Sequence, residues 1–195
     1  KVLLANPIFL LAAVIIGILA LMKKFISDSF ALRDGLGASV GQATMLNKQL
    51  QGARLEAMVM GYDVNQIASQ LTDEFGNLDQ VTSKNIKSLG RMEKTLGIAT
   101  EDSAVLVKSF MDISGGSFEA GVNMVKLTSE LAVANNVAPG AVMKDIAANT
   151  EMFAEFGADG GKNIAKAAVQ AKKLGVNLGT TAKIANSLLD FESSI

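Results

Sequence analysis

One run at the start of the chain limits most strongly what it can fold into. Residues 2–22 are 21 consecutive uncharged and mostly apolar residues, with Lys1 before them and Lys23 and Lys24 after them. As an α-helix, the run would span roughly 31 Å, close to the thickness of a bilayer's hydrocarbon core. Because it has no polar stripe, such a helix either enters a membrane or is buried in protein on every side.

A sequence signal for the start of a helix lies inside this run. Asn6 and Pro7 are typical of an N-cap and a first helical position, respectively. A helix that begins there has an apolar part of only roughly 24 Å, which Phe25 and Ile26 would extend. Alternatively, Pro7 kinks a longer helix. Hydropathy favours a membrane-competent segment over a fully buried one.

The composition excludes several classes of function. The chain has no Cys and no His, which removes thiolate sites, the commonest general base and the commonest transition-metal ligand. The net charge is −1, so nothing favours binding to nucleic acid by charge. Glu101 and Asp102 are expected in the first turn of a helix, where acidic residues are stabilised. We therefore predict no enzyme activity, no metal, no cofactor and no sequence-specific binding to nucleic acid.

Three regions are predicted from the pattern of apolar residues and glycines. Residues 1–27 form a hydrophobic, transmembrane-like helix, residues 28–41 form a Gly-rich linker, and residues 42–195 form a helical region. The linker is placed at Gly35, Gly37 and Gly41, which interrupt helical periodicity. The abundance of Ala, Met and Leu predicts an all-α fold with eight or nine helices, no sheet, and a hydrophobic helix that stands apart from the rest.

Capping residues mark the helices that follow. Residues 42–60 carry one apolar stripe and are predicted to form a single helix. The next helices are expected to begin and end at the usual capping residues, namely Asp63 to Gly76 and then Asp79 or Thr82 to Gly97.

A local pattern recurs in the second half of the chain. A helix ends at Gly or Asn, a β-branched residue follows, and a new helix begins. The β-branched residues are Ile98, Val137 and Val176, which are 39 residues apart. Each is placed to fold back onto the preceding helical turn. The spacing indicates either an array of two-helix repeats or ordinary helices with a similar period by chance.

Residues 96–195 resemble the tape-measure proteins of phage tails. The resemblance begins at LGIATEDSAVLVKSF and continues through Ala-rich helices to the last residue, so it covers about half the chain. It lies in the alternation of glycine-and-β-branched helix starts with Ala-rich helices, next to a hydrophobic segment. Tape-measure proteins are long, and the chain begins with Lys and stops within a helical pattern. We therefore expect it to be part of a longer protein.

The resemblance implies a structural virion protein. Such a protein occupies the lumen of the tail tube, sets the length of the tail, contacts the tube and the tail-tip or baseplate proteins, and assists genome delivery across the host inner membrane. Its expected locations are the tail interior and, on infection, the host membrane. The alternative is a membrane-anchored helical module, either receptor-like or a pore-forming toxin, that is not part of a virion.

The hydrophobic helix also predicts self-association. An apolar helix cannot remain exposed to water, so we expect a homo-oligomer, with three copies given the resemblance and with cyclic symmetry. Residues at helical spacing form the candidate membrane or oligomer contact, namely Leu10, Val14, Gly17 and Leu21.

Overall fold

The protein is all-α. A computed structural model describes the backbone of residues 7–153 and 157–193, and the side chains from residue 16 onward except those of 18, 154–156, 185–186 and 188–195. In these ranges there are ten α-helices and no strand. The helices are α1 (Pro7–Leu36), α2 (Val40–Gln49), α3 (Gln51–Met60), α4 (Val64–Phe75), α5 (Ser83–Arg91), α6 (Thr100–Ser114), α7 (Phe118–Ala134), α8 (Pro139–Ala147), α9 (Lys162–Lys173) and α10 (Leu178–Ser193), and one π-helical turn (Met92–Leu96) extends α5.

Most predicted helix ends are confirmed. The Asp63 carboxylate accepts hydrogen bonds from the backbone of the first turn of α4, and the Thr82 hydroxyl does the same for α5. Gly61, Gly76 and Gly97 each adopt the left-handed conformation directly after a helix. These ends depend on a few neighbouring residues, which explains why a local sequence pattern identifies them.

The predicted helix over residues 42–60 is instead two helices, which raises the number from the expected eight or nine to ten. The break is at Leu50, a fully buried residue with φ −86° and ψ 1°. It brings Gly52 against α5, where an added Cβ would lie 3.2 Å from the Ser83 hydroxyl oxygen. Packing against a neighbouring helix therefore overrides local propensity.

The predicted linker at residues 28–41 is wrong over most of its length. Helix α1 continues to Leu36, and only residues 37–39 separate it from α2. Gly37 ends the helix with φ 60°, and Ser39 begins the next one with a capping box. Leu32 on α1 is fully buried, so the second half of α1 packs on the helical region and does not stand apart from it.

The core is one cluster of buried apolar side chains that extends from Leu32 on α1, through the helices between, to Leu178 on α10. Phe110 on α6 is fully buried and meets the edge of the Phe153 ring, with ring centroids 5.1 Å apart. Helices α6 and α7 cross closely at Gly121, where an added Cβ would lie near the carbonyl oxygen of Val107. Close packing of this kind fixes the crossing of α6 and α7.

The recurring pattern after helix ends is observed in the backbone. The amide of Val137 donates to the carbonyl of Ala132 at 2.9 Å, and that of Val176 donates to Ala171 at 3.0 Å. Both bonds span five residues and follow a residue of positive φ, as in a Schellman motif. The predicted fold-back of the β-branched residue onto the preceding turn is confirmed at these two positions.

Candidate functional site: the apolar face of α1 to α3

Helix α1 has two halves with different surroundings. From residue 25 to its end, α1 contacts α2 and α4. Before that, every described side chain from Ile16 to Lys24 is exposed. The described side chains from Ile16 to Met22 are apolar, so they present hydrophobic surface without a covering element from the described part of the chain.

Polar groups fix the packed half of α1. The side-chain amide of Asn47 donates to the carbonyl oxygen of Phe25 at 2.7 Å and to the hydroxyl of Ser29 at 2.9 Å. The Arg54 guanidinium lies 3.1 Å from the carboxylate of Asp28. These contacts join α1 to both α2 and α3.

The same guanidinium is held from two other directions. Its Nε donates to the Asn47 side-chain oxygen at 2.8 Å, and one terminal nitrogen donates to that of Asn65 at 2.9 Å. We call Asp28, Asn47, Arg54 and Asn65 the clasp. Burial lowers the pKa of Arg54, and the carboxylates of Asp28 and Asp63 oppose this change. Because an arginine remains protonated in proteins, the clasp contains a charged and largely desolvated pair.

Two clefts flank α1 at the clasp. One, of about 460 Å³, lies between α1 and α3. The other, of about 270 Å³, lies between α1 and α2, and Phe25 and Ile26 line both. The exposed large apolar side chains that line these clefts form the surface that we call the apolar face: Leu21, Met22, Ile26, Phe30, Val40, Leu55 and Met58.

The apolar face is extensive for a water-exposed surface. Leu55 is 67% exposed and Met58 is 64% exposed. Both line the larger cleft, which has room for side chains or acyl groups of a partner. Monomeric soluble proteins rarely present this many large apolar side chains together, and such patches mark interaction sites. The sequence analysis missed the contribution of α2 and α3. The sequence signal that could have indicated the contribution of α3 was the pair Leu55 and Met58, apolar residues of 42–60 that lie off the buried stripe.

The four predicted contact residues have different outcomes. The side chains of Leu10 and Val14 lie outside the described residues. Gly17 is exposed on α1, and an added Cβ would have no neighbour within 4 Å. Leu21 is exposed and lines the larger cleft with Leu55 and Met58. None of these findings tests an oligomer contact, which stays a prediction.

Cations outnumber carboxylates around the apolar face. Lys24 and Arg54 line the larger cleft and share the carboxylate of Asp28, at 4.0 Å and 3.1 Å. Arg33 lines the smaller cleft, pairs with Asp34 and lies over the Phe30 ring, 5.0 Å from its centroid. With the exposed Lys23, the border has four cations, against the three carboxylates of Asp28, Asp34 and Asp63.

A second charged cluster lies between α3 and α5. Both guanidinium contacts from Arg91 to the Glu56 carboxylate measure 2.7 Å, and Lys87 lies 3.9 Å from it. The hydrogen bond from Arg91 lowers the pKa of Glu56. Burial, followed by the negative charge of Glu56, raises the pKa of Tyr62 to about 12. The Tyr62 hydroxyl donates to the Ala53 carbonyl at 3.1 Å, so this cluster connects helices within the fold.

Two further observations bear on function. Among the residues that the structure describes, no helix combines the length and the apolar character needed to cross a bilayer. Comparisons of this chain with protein families, curated proteins and solved structures find no match.

Proposed function

We propose that the chain is a structural virion protein of a tailed phage. In this proposal it resembles a tape-measure protein, occupies the tail tube as a homo-oligomer of three copies, sets tail length and assists genome delivery across the host inner membrane. Two features support it. One is the resemblance of residues 96–195, and the other is the exposed apolar half of α1. The chain's role is structural, and no catalytic residue, metal or cofactor is assigned to it.

The observation that carries the proposal is the exposure of α1 between Ile16 and Met22, next to a well-packed helical region. Hydrophobic surface of this kind is unfavourable in water by about 25 cal/mol for each Å². It must be covered by other copies or by the tube while the protein is inside the particle. After release from the tail, lipid covers it instead.

Ile16 provides a test of this role, because it is 66% exposed and belongs to no packed contact of the helical region. A charged side chain on an apolar surface must lose its hydration when that surface enters lipid, which costs several kcal/mol, whereas each buried CH₂ group favours entry by about 0.8 kcal/mol. We expect phage carrying Ile16→Asp to assemble tails of normal length and adsorb to cells. They should fail to depolarise the host membrane and to deliver DNA.

Leu127→Asp is the matched control. Leu127 is 53% exposed on α7, so the substitution makes the same change in charge at an exposed apolar position away from α1. We expect infection by this variant to proceed normally. Short or missing tails with Ile16→Asp would show that α1 serves the interior packing of the particle, and the membrane step would then be rejected.

The same phage particles test whether the chain is a virion component. Antibodies against the purified chain should label disrupted tails, and crosslinking of intact particles should capture multimers. Only monomers after crosslinking would refute the homo-oligomer. A chain found in the membrane of the producing cell, and absent from particles, would support the alternative of a membrane-anchored helical module.

A further inference from the structure

We infer that the apolar face of α1 to α3 docks on the surface of an anionic lipid bilayer. The inference deepens the membrane step of the proposed function and rests on it for its biological setting. It adds a second contact to lipid, made by side chains of α2 and α3 beside the clasp. In this arrangement the packed half of α1 lies along the surface together with these helices.

The geometry of the face suits the boundary between headgroups and acyl chains. Its apolar side chains come from three helices held together by the clasp, and two clefts separate them. Bilayers accommodate such a surface because acyl chains fill clefts of irregular shape. Amphipathic surfaces of this kind bind with the apolar side about 5–10 Å deep in the headgroup region.

The charges around the face distinguish lipid from a second copy of the chain. Lys23, Lys24, Arg33 and Arg54 border the face, against the carboxylates of Asp28, Asp34 and Asp63. The surplus is positive, so two identical faces would bring positive charge together, and like charges across an interface are unfavourable. Anionic headgroups supply the missing negative charge, and each basic residue near the surface strengthens binding to them.

Cation placement also fits a lipid surface. The Arg33 guanidinium lies over the ring of Phe30, so the charge sits at the edge of an apolar side chain. Lys24 is adjacent to Phe25, and 55% of its side chain is exposed. Long basic side chains in these positions can extend to the headgroups while their stems remain against apolar surface.

A single fluorescent label provides the test, since the natural chain has no Cys. Met58→Cys places an environment-sensitive dye on α3 at an exposed position, and Leu127→Cys places it on α7 as the control. Both labelled full-length chains are transferred from mild detergent to vesicles of phosphatidylglycerol and phosphatidylcholine, or of phosphatidylcholine alone. Some vesicles carry a lipid-borne quencher.

We expect the dye at Met58 to brighten several-fold on anionic vesicles and to be quenched from within the lipid. The dye at Leu127 should stay unchanged. Adding Lys23→Glu and Lys24→Glu should lower the partition coefficient for anionic vesicles at least tenfold, whereas Lys23→Arg with Lys24→Arg should keep it.

Four results would overturn the inference. Brightening at Met58 without quenching by the lipid-borne quencher would mean that a second copy covers the face. Equal partitioning into neutral and anionic vesicles would remove the role of the cations. A response at Leu127 equal to that at Met58, or none at Met58 while the chain still binds, would mean that the face does not contact lipid. Each result is independent of tail length in the Ile16→Asp phage, so the two proposals can fail separately.

Discussion

Removing the cation of the clasp should destabilise the protein more than removing any exposed cation. Arg54→Met keeps an apolar stem but strands the Asp28 carboxylate and the side-chain oxygens of Asn47 and Asn65. Only 14% of the Arg54 side chain and 16% of the Asp28 side chain are exposed. An exposed ion pair contributes at most about 1 kcal/mol, and removing one partner of a buried pair costs about 3–5 kcal/mol. For this intermediate burial we expect about 2–3 kcal/mol.

Lys84→Met is the matched control. Its ion pair with Glu119 is shorter than that of the clasp, at 2.6 Å against 3.1 Å. However, the two side chains are 72% and 62% exposed, so water already screens the attraction. We expect little or no loss of stability for this variant. By distance, the Lys84–Glu119 pair should be the stronger one, and by burial, the Arg54–Asp28 pair should be. The comparison therefore shows which of the two properties sets the strength of an ion pair.

Urea unfolding measures both losses. For a denaturant dependence (m-value) of about 2–3 kcal/mol/M, Arg54→Met should lower the urea concentration at the unfolding midpoint by about 1 M. Hydrogen exchange in residues 25–36 of α1 should become faster. Adding Asp28→Asn removes the stranded charge and should recover part of the loss. Equal effects of Arg54→Met and Lys84→Met, or a more stable Arg54→Met variant, would refute the reasoning, because burial would then not set the strength of the pair.

Two further predictions concern the packed helices. Tyr62 is the only tyrosine, so its alkaline titration by absorbance should show a midpoint at about 12, because burial and the charge of Glu56 disfavour the phenolate. Its contribution to stability is complete below the unfolded pKa, about 10, and is lost as the pH rises towards 12. A midpoint near 10 in the folded protein would contradict this. Gly121→Ala should lower the unfolding free energy by about 1–3 kcal/mol, since the new methyl group meets the Val107 carbonyl. Gly41→Ala, which meets no atom within 4 Å, should leave the thermal midpoint unchanged or raise it.

The sequence predicts features that depend on a few consecutive residues. The caps at Asp63 and Thr82 and the helix ends at Gly61, Gly76 and Gly97 are confirmed because each follows from its own side chain or its own backbone conformation. The all-α class follows from composition in the same way. Such signals require no knowledge of which helix contacts which.

Features that depend on distant contacts could not be predicted. Gly52 lies two residues after the break at Leu50, but the apolar stripe of residues 42–60 continues across it, and only the packing against α5 shows that the helix divides there. Gly35 lies within α1 because the buried Leu32 fixes that half of the helix on its neighbours. For the candidate site, the exposed Leu21 was expected, but Leu55 and Met58 were not, because only the tertiary structure places α3 beside α1.

The way α1 is held bears on what its apolar surface does. If α1 only completed a core, its apolar stripe would face α2 and α3, and large side chains would fill both clefts. Instead, although Leu32 is buried and Leu36 packs on the core, a polar clasp joins α1 to α2 and α3, and Ile26 and Phe30 remain exposed. A desolvated ion pair stabilises a fold weakly compared with apolar packing, but it fixes one orientation. The clasp therefore sets the direction of α1 while leaving its apolar side chains uncovered for a partner outside the chain, which is the condition that both proposals require.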